Sequence, residues 1–159
     1  MYKRQNYTLT KELHFNRQHH PYGNGLSESY CRRWITLWLL EDLNYLQRHQ
    51  LYEQPIAGIQ RSKFIGTKDE YLCFSLAQPA HPTPNTNVSV TVGMMINDQL
   101  KSTIQFWEDP NIQIKAVNQT CERCAAVDCT ERVAPPTILQ QQKALQETET
   151  ALNALLEGG

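Results

Sequence analysis

The chain has 159 residues, of which 40% are hydrophobic and 19% are charged, and this composition is typical of a single globular domain with a buried core rather than of a disordered or fibrous protein. Its 15 basic and 16 acidic residues give a net charge of −1. That balance argues against a broad phosphate-binding surface, because nucleic-acid-binding domains usually carry a basic excess or a basic stripe. No apolar run approaches the roughly 18 residues of a membrane span, and MYKRQNYTLT at the N-terminus lacks the apolar core of a secretory signal. We therefore expect a cytoplasmic protein without a membrane partner, in which clustered cysteines bind metal more often than they form disulfides.

The first half of the chain predicts a long helix followed by a hairpin. Ser27 is the expected cap of a helix that continues to about Gln50, because large apolar residues recur there at helical spacing. IAGIQRSKF at 56–64 and EYLCFSLA at 70–77 surround the turn sequence IGTKD, so they predict two antiparallel strands.

The second half predicts a further strand and two helices. VSVTVGMMI at 88–96 alternates, so its Val residues, Met94 and Ile96 are expected on one face of a half-buried strand. NDQLKSTIQFW then predicts a helix capped by Asn97 or Asp98, and NIQIKAV an edge strand. After Pro135-Pro136, strong helix formers predict a terminal helix over 137–157. The expected fold is α+β, with an antiparallel sheet flanked by helices in the manner of a sensor domain, a cysteine-rich loop and a C-terminal helix.

The segment TCERCAAVDCTERVAPP at 120–136 is the most informative part of the sequence. It places Cys121, Cys124 and Cys129 at the spacing C-x2-C-x4-C. Thiolates two or three residues apart can converge on one metal without straining the backbone, and tetrahedral zinc or an iron–sulfur cluster needs four ligands. The charged neighbourhood favours metal ligands over three packed core cysteines.

The remaining cysteines offer two candidates for the fourth ligand. Cys73 lies in a strand-like run, where a packed small hydrophobe is the simplest interpretation. Cys31 is expected at the start of the long helix, where the helix dipole and free backbone N–H groups favour a thiolate, and it is the better candidate. Histidine also competes, since Cys3His zinc sites are sound chemistry; the histidines concerned are His14, His19, His20 and His81. Spacing alone does not separate zinc from an iron–sulfur cluster.

The cysteine segment resembles that of the short-chain fatty acyl transcriptional regulators, whose pattern runs C-x-x-C-x-x-x-x-C-x-x-R-x-x-P. Arg132 and Pro135 stand at the two last positions of that pattern. Upstream, CRRW at 31–34 is similar to the family's C-x-x-W segment, and EYLCFSLA and VTVGMMIND are similar to two of its strands. The resemblance covers residues 25–136, and the cysteine segment is its specific part.

The resemblance implies a bacterial regulator with an N-terminal helix-turn-helix, in which Cys31, Cys121, Cys124 and Cys129 together hold a 4Fe–4S cluster. Zinc is the alternative, and oxygen can strip such a cluster, so aerobically purified protein need not contain it. The family also implies an acyl-CoA-type effector and a homodimer, since helix-turn-helix regulators usually read two half-sites. No helix-turn-helix is visible in this chain, so residues 1–159 are interpreted as one C-terminal sensory domain, either a fragment or a standalone relative, with DNA contacted only by the missing part.

Two other classes of function compete with this interpretation. A structural zinc module would use its metal only to pin the cysteine loop, so that metal-binding energy becomes folding energy. An enzyme is not expected, because the chain has no G-x-S-x-G, no H-E-x-x-H and no Gly-rich phosphate loop. Cys31 as a catalytic nucleophile would require one of the nearby histidines as its base.

Overall fold

The computed structural model of the protein describes Tyr7 and residues 28–83 and 85–157. The described elements in chain order are α1 (Ile35–Arg48), β1 (Ile56–Phe64), β2 (Glu70–Pro79), β3 (Asn87–Met95), α2 (Asp98–Thr103), a 3-10 turn (Gln105–Glu108), β4 (Gln113–Val117) and α3 (Thr137–Glu157). They belong to two compact units. Residues 32–117 form the sheet unit, and the described residues of 1–31 and 118–159 form the cysteine unit.

The sheet unit is built on four strands in the order β3-β2-β1-β4. β2 pairs antiparallel with β1, as the hairpin sequence predicts, and also with β3, whereas β4 pairs parallel with β1. The predicted α+β class, with flanking helices and a C-terminal helix, is confirmed, and the sheet is mixed. The parallel pairing follows from the route of the chain, because α2 and the 3-10 turn form a crossover that returns the chain to the sheet beyond β1.

One face of the sheet packs against α1. That helix buries five aliphatic side chains: Ile35, Leu37, Leu39, Leu40 and Leu43. Small residues on the sheet allow the close approach, and a Cβ on Gly58 would lie 3.1 Å from Cδ1 of Ile35. Cys73 lies on this face at 1% exposure, which confirms the prediction of a packed strand residue. Burial raises the pKa of its thiol, and a hydrogen bond with the Ser62 side chain partly opposes that rise.

The opposite face of the sheet is covered at one end only. Leu100 of α2, Ile104 and Trp107 pack there against Leu72 and its neighbours. The side chain of Asn97 accepts the N–H of Leu100 at 2.9 Å and caps α2, which is one of the two caps that the sequence predicts. The cover does not extend along β3, where Val90 is 67% exposed, so the predicted valine stripe exists but is less buried than expected.

The long helix begins later than predicted. α1 starts at Ile35 and ends at Arg48, and residues 28–31 are not helical. The prediction that Cys31 lies at the N-terminus of this helix is therefore wrong. The physical reason is that the N–H of Cys31 is bonded to the carbonyl oxygen of Gln119, a partner far away in the sequence.

Within the described residues, no helix is both long enough and apolar enough to cross a membrane.

Candidate cysteine site

The cysteine unit begins with an antiparallel β-bridge between Tyr30 and Thr120. The N–H of Cys31 donates to the oxygen of Gln119 at 3.1 Å, and the N–H of Cys121 donates to the oxygen of Ser29 at 2.8 Å. Side chains alternate between the two sides of a pair of strands, so the residues that flank Tyr30 and Thr120 share the side opposite to the side chains of Tyr30 and Thr120. Cys31 and Cys121 are thus diagonal neighbours on one side of the bridge, a relationship that places Cα atoms roughly 7–8 Å apart.

A buried ion pair holds the two strands of the bridge together. The carboxylate of Glu28 accepts two hydrogen bonds from Arg123, at 2.9 Å from Nε and 2.8 Å from Nη2. The hydroxyl of Thr120 donates to the same carboxylate at 2.7 Å. The side chain of Glu28 is 7% exposed, so this pair is shielded from water and its hydrogen bonds are charge-assisted.

Glu122 connects the bridge to the terminal helix. Its side-chain carboxylate accepts the N–H of Ser29 at 2.9 and 3.0 Å. Its backbone oxygen accepts the N–H groups of Ile138 and Leu139, both at 3.1 Å. These two donors belong to the first turn of α3, where N–H groups have no partner inside the helix. One residue between the two cysteines of C-x2-C therefore binds both the N-terminal strand of the bridge and the start of α3.

The first two cysteines of the motif bracket a tight turn and are buried. The N–H of Cys124 donates to the oxygen of Cys121 at 3.2 Å. Cys121 is 5% exposed, Cys124 6% and Cys31 6%, whereas Cys129 is partly exposed. The polar side chains within the turn, those of Glu122 and Arg123, bind Ser29 and Glu28, so the burial of the thiols was not evident from composition.

Arg132 binds backbone carbonyl groups of the cysteine loop. Its guanidinium donates to the backbone oxygens of Cys121 at 2.9 Å and of Cys124 at 3.2 Å, and it also contacts those of Ala126 and Ala134. A planar guanidinium can serve several carbonyl groups at fixed angles, which an ammonium cannot do. Arg132 matches the motif of the resembling family, and in this structure it is a positioning residue for the loop.

The other candidate ligands have different surroundings. His81 is exposed and belongs to the sheet unit, as does the buried Cys73. His14, His19 and His20 lie outside the described residues. The sequence pointed to the four cysteines of the cysteine unit, but it gave no local signal for Glu28, Glu122 or Arg123, whose partners are distant in the chain.

The donor set suits a thiophilic metal, because it contains four thiols, three of them shielded from water. No disulfide joins any of them. Across the described residues, no group of three or more His, Cys, Asp or Glu side chains is arranged so that it could hold a metal ion. Metal binding by Cys31, Cys121, Cys124 and Cys129 is therefore a prediction from donor chemistry and from the family resemblance.

Comparison of the chain with protein-family models, with curated proteins and with solved structures found no match.

Proposed function

We propose that this chain is the sensory domain of a cytoplasmic bacterial transcriptional regulator, and that Cys31, Cys121, Cys124 and Cys129 hold a 4Fe–4S cluster through which it reads redox state. The observation that carries the proposal is that Cys31, the first residue of CRRW, and Cys121, the first cysteine of C-x2-C-x4-C, flank the Tyr30–Thr120 bridge. These are the two segments from which the resembling family takes its cysteines.

The hydrogen bonds of Glu122 supply a route from the cysteines to the rest of the regulator. The residue lies between Cys121 and Cys124, and its backbone oxygen binds the first turn of α3. A change in the conformation of this turn on loss of a cluster would act on those two hydrogen bonds. The state of the cysteines is thereby communicated to a helix of 21 residues.

The DNA-binding function is proposed for a helix-turn-helix outside this chain, and the net charge of −1 agrees with a domain that does not itself grip phosphates. An acyl-CoA-type compound is proposed as a second effector on the resemblance alone. We also propose that the regulator acts as a homodimer, because a two-fold axis matches two half-sites in DNA.

A structural zinc site is the second candidate function. The observation that favours it is the dense hydrogen bonding of Arg132 and Glu28, which gives the loop one fixed conformation and is typical of a site that pins structure. In that case metal binding would increase the free energy of unfolding, and the metal would not respond to oxygen.

The test is to measure iron, sulfide and zinc in protein purified without oxygen, for the wild type and for each of the four Cys→Ser variants. Cys73→Ser is the matched control, because it removes a thiol of the sheet unit. We expect iron and sulfide in the wild type and in Cys73→Ser, and their loss in the four site variants. Zinc at one equivalent would establish the structural alternative, and folded protein without any metal would overturn both.

A further inference from the structure

We propose that the free edge of β3 is an interface with a second copy of this chain, in which two β3 strands pair antiparallel and join two sheets into one. This inference does not depend on whether the cysteines bind a metal, because all of its residues lie in the sheet unit. It rests on three features of β3: its unpaired backbone edge, its exposed apolar face, and an order of residues that matches its own antiparallel copy.

β3 is an edge strand whose second side is not paired within the described part of the chain. It is the outermost strand in the order β3-β2-β1-β4. The N–H of Ile96 donates to the oxygen of Glu70, which lies just beyond the register of β2 with β3. Since N–H and C=O groups alternate in direction along an antiparallel strand, even-numbered residues of β3 bond to β2, and the polar backbone groups of Ser89, Thr91 and Gly93 point away from the sheet.

The same strand carries an exposed apolar face. Val88 is 40% exposed, Val90 67% and Val92 58%, and Leu76 on the neighbouring strand is 42% exposed. Phe106, which is 51% exposed, extends the patch. Its ring lies edge-to-face against that of Phe74, with 6.3 Å between the ring centroids. These five exposed side chains present roughly 400 Å² of apolar surface, which is as large as the largest patch on a typical monomer.

The edge also lacks the features that normally prevent strand addition. Natural edge strands are protected by charged side chains, by proline or by a bulge. The run NVSVTVGMMIN at 87–97 contains no charged residue and no proline, and β3 pairs with β2 without interruption over nine residues. An unprotected edge of this length in an ordinary globular protein indicates that the edge is covered in the functional state.

The sequence of β3 favours its own copy as the covering strand. A two-fold axis at Thr91, the middle residue of Asn87–Met95, would place Val90 opposite the partner's Val92 and Val88 opposite the partner's Met94. Thr91 would face its own counterpart, and Ser89 would face the partner's Gly93, so their outward N–H and C=O groups would bond each other. Apolar side chains thus meet apolar ones on one face, and no like charges are brought together.

The area that this pairing would bury is sufficient for a specific dimer. Two patches and the backbones between them would bury on the order of 1,200 Å² in total, which is the lower limit for a specific protein–protein interface. A short peptide bound to the same edge would cover less of the valine face, because it brings no second sheet to continue that face.

The test is the mass of the full chain in solution, by light scattering over a range of concentrations, for the wild type and three variants. Val90→Lys and Val92→Lys put a charge on the proposed interface. Ile114→Lys is the matched control, since Ile114 is a β-branched residue 56% exposed on β4, the other edge of the same sheet. We expect twice the chain mass of 18.4 kDa for the wild type and Ile114→Lys, and the single mass for both valine variants.

Amide hydrogen exchange provides a second readout that a merely unfolded variant would not reproduce. We expect the amides of Ser89, Thr91 and Gly93 to be protected in the wild type at high concentration and to exchange at least tenfold faster in Val90→Lys, while the amides of β1 keep their protection. The proposal is overturned if the wild type is monomeric up to about 1 mM, a concentration that corresponds to negligible affinity. It is equally overturned if both valine variants keep the dimer mass.

Discussion

Cys31 and Cys121 lie diagonally across one antiparallel β-bridge, because the N–H of Cys31 donates to Gln119 and the N–H of Cys121 donates to Ser29. The bridge itself is a single residue pair, so its stability depends on the side chains around it. Arg132, Glu28 and Glu122 supply those contacts.

Replacement of Arg132 by Lys should open the cysteine loop. The single ammonium nitrogen of Lys cannot occupy the positions of both Nη1 and Nη2, which donate to the backbone oxygens of Cys121 and Cys124, so these carbonyl groups lose hydrogen bonds. We expect a loss of about 2 kcal/mol in the free energy of unfolding, together with faster reaction of the two thiols with a thiol reagent in metal-free protein.

Arg48→Lys is the control for that experiment. Arg48 is exposed in the last turn of α1, so its replacement should change stability by less than about 0.5 kcal/mol. Equal thiol reactivity in the wild type and Arg132→Lys would show that Arg132 does not hold the loop.

The ion pair of Glu28 and Arg123 should show strong coupling in a double-mutant cycle. We expect Glu28→Gln and Arg123→Gln each to destabilise the protein, because each leaves a shielded charge without its partner. The coupling energy should be about 0.5–3 kcal/mol, the range for residues in direct contact. Chemical denaturation of the two single variants and the double variant measures it, and additive losses would mean that the pair does not stabilise the bridge.

Cys73→Ala should leave the metal content unchanged and should lower the free energy of unfolding by about 1 kcal/mol. The thiol lies at 1% exposure in the core of the sheet unit, where its removal leaves a small cavity. Metal analysis and denaturation of the same preparation test both parts. Loss of metal in this variant would mean that Cys73, and not Cys31, is the fourth ligand.

The stability of the wild type should fall as the pH rises above about 8.5, the usual pKa of a thiol in an unfolded chain. Burial raises the pKa of Cys73 in the folded state, so the unfolded chain releases its proton first and is favoured at high pH. Denaturation at several pH values, for the wild type and for Cys73→Ala, measures the effect. The variant should show a smaller decline, and an identical decline would assign the pH dependence to another group.

The terminal helix should add to a dimer without creating it. Leu145 is 61% exposed and Leu152 56%, and they continue the seven-residue repeat that starts at Ile138. A coiled coil needs apolar residues at two positions of each heptad, a and d, and the polar Gln141 and Thr148 occupy the d positions here. The row of apolar residues on α3 is therefore too narrow to associate strongly by itself. We expect the double variant Leu145→Glu, Leu152→Glu to remain dimeric with a weaker dissociation constant, as measured by light scattering on dilution.

Gln146→Glu combined with Asn153→Glu is the matched control for the terminal helix, because it adds the same charge at the same spacing on another side of α3. It should leave the dissociation constant unchanged. A fully monomeric double leucine variant would place the main interface on α3 instead of on β3.

Local sequence patterns were sufficient for elements whose neighbours follow directly in the chain. The hairpin of β1 and β2 could be predicted because a short turn separates two strand-like runs, and the helix over 137–157 because strong helix formers follow two prolines. The alternation in β3 correctly placed Val88, Val90 and Val92 on one face. The spacing of Cys121, Cys124 and Cys129 identified the loop as the candidate site.

Tertiary structure decided where distant segments meet. The parallel pairing of β4, the late start of α1 and the hydrogen bond of Cys31 to Gln119 all depend on partners far away in the sequence. The exposed valine face also depends on how far α2 extends over the sheet, which alternation along one strand does not encode. The physical reason is that periodicity reports the local backbone conformation, whereas burial and pairing are set by hydrogen-bond donors and acceptors that only the folded chain brings together.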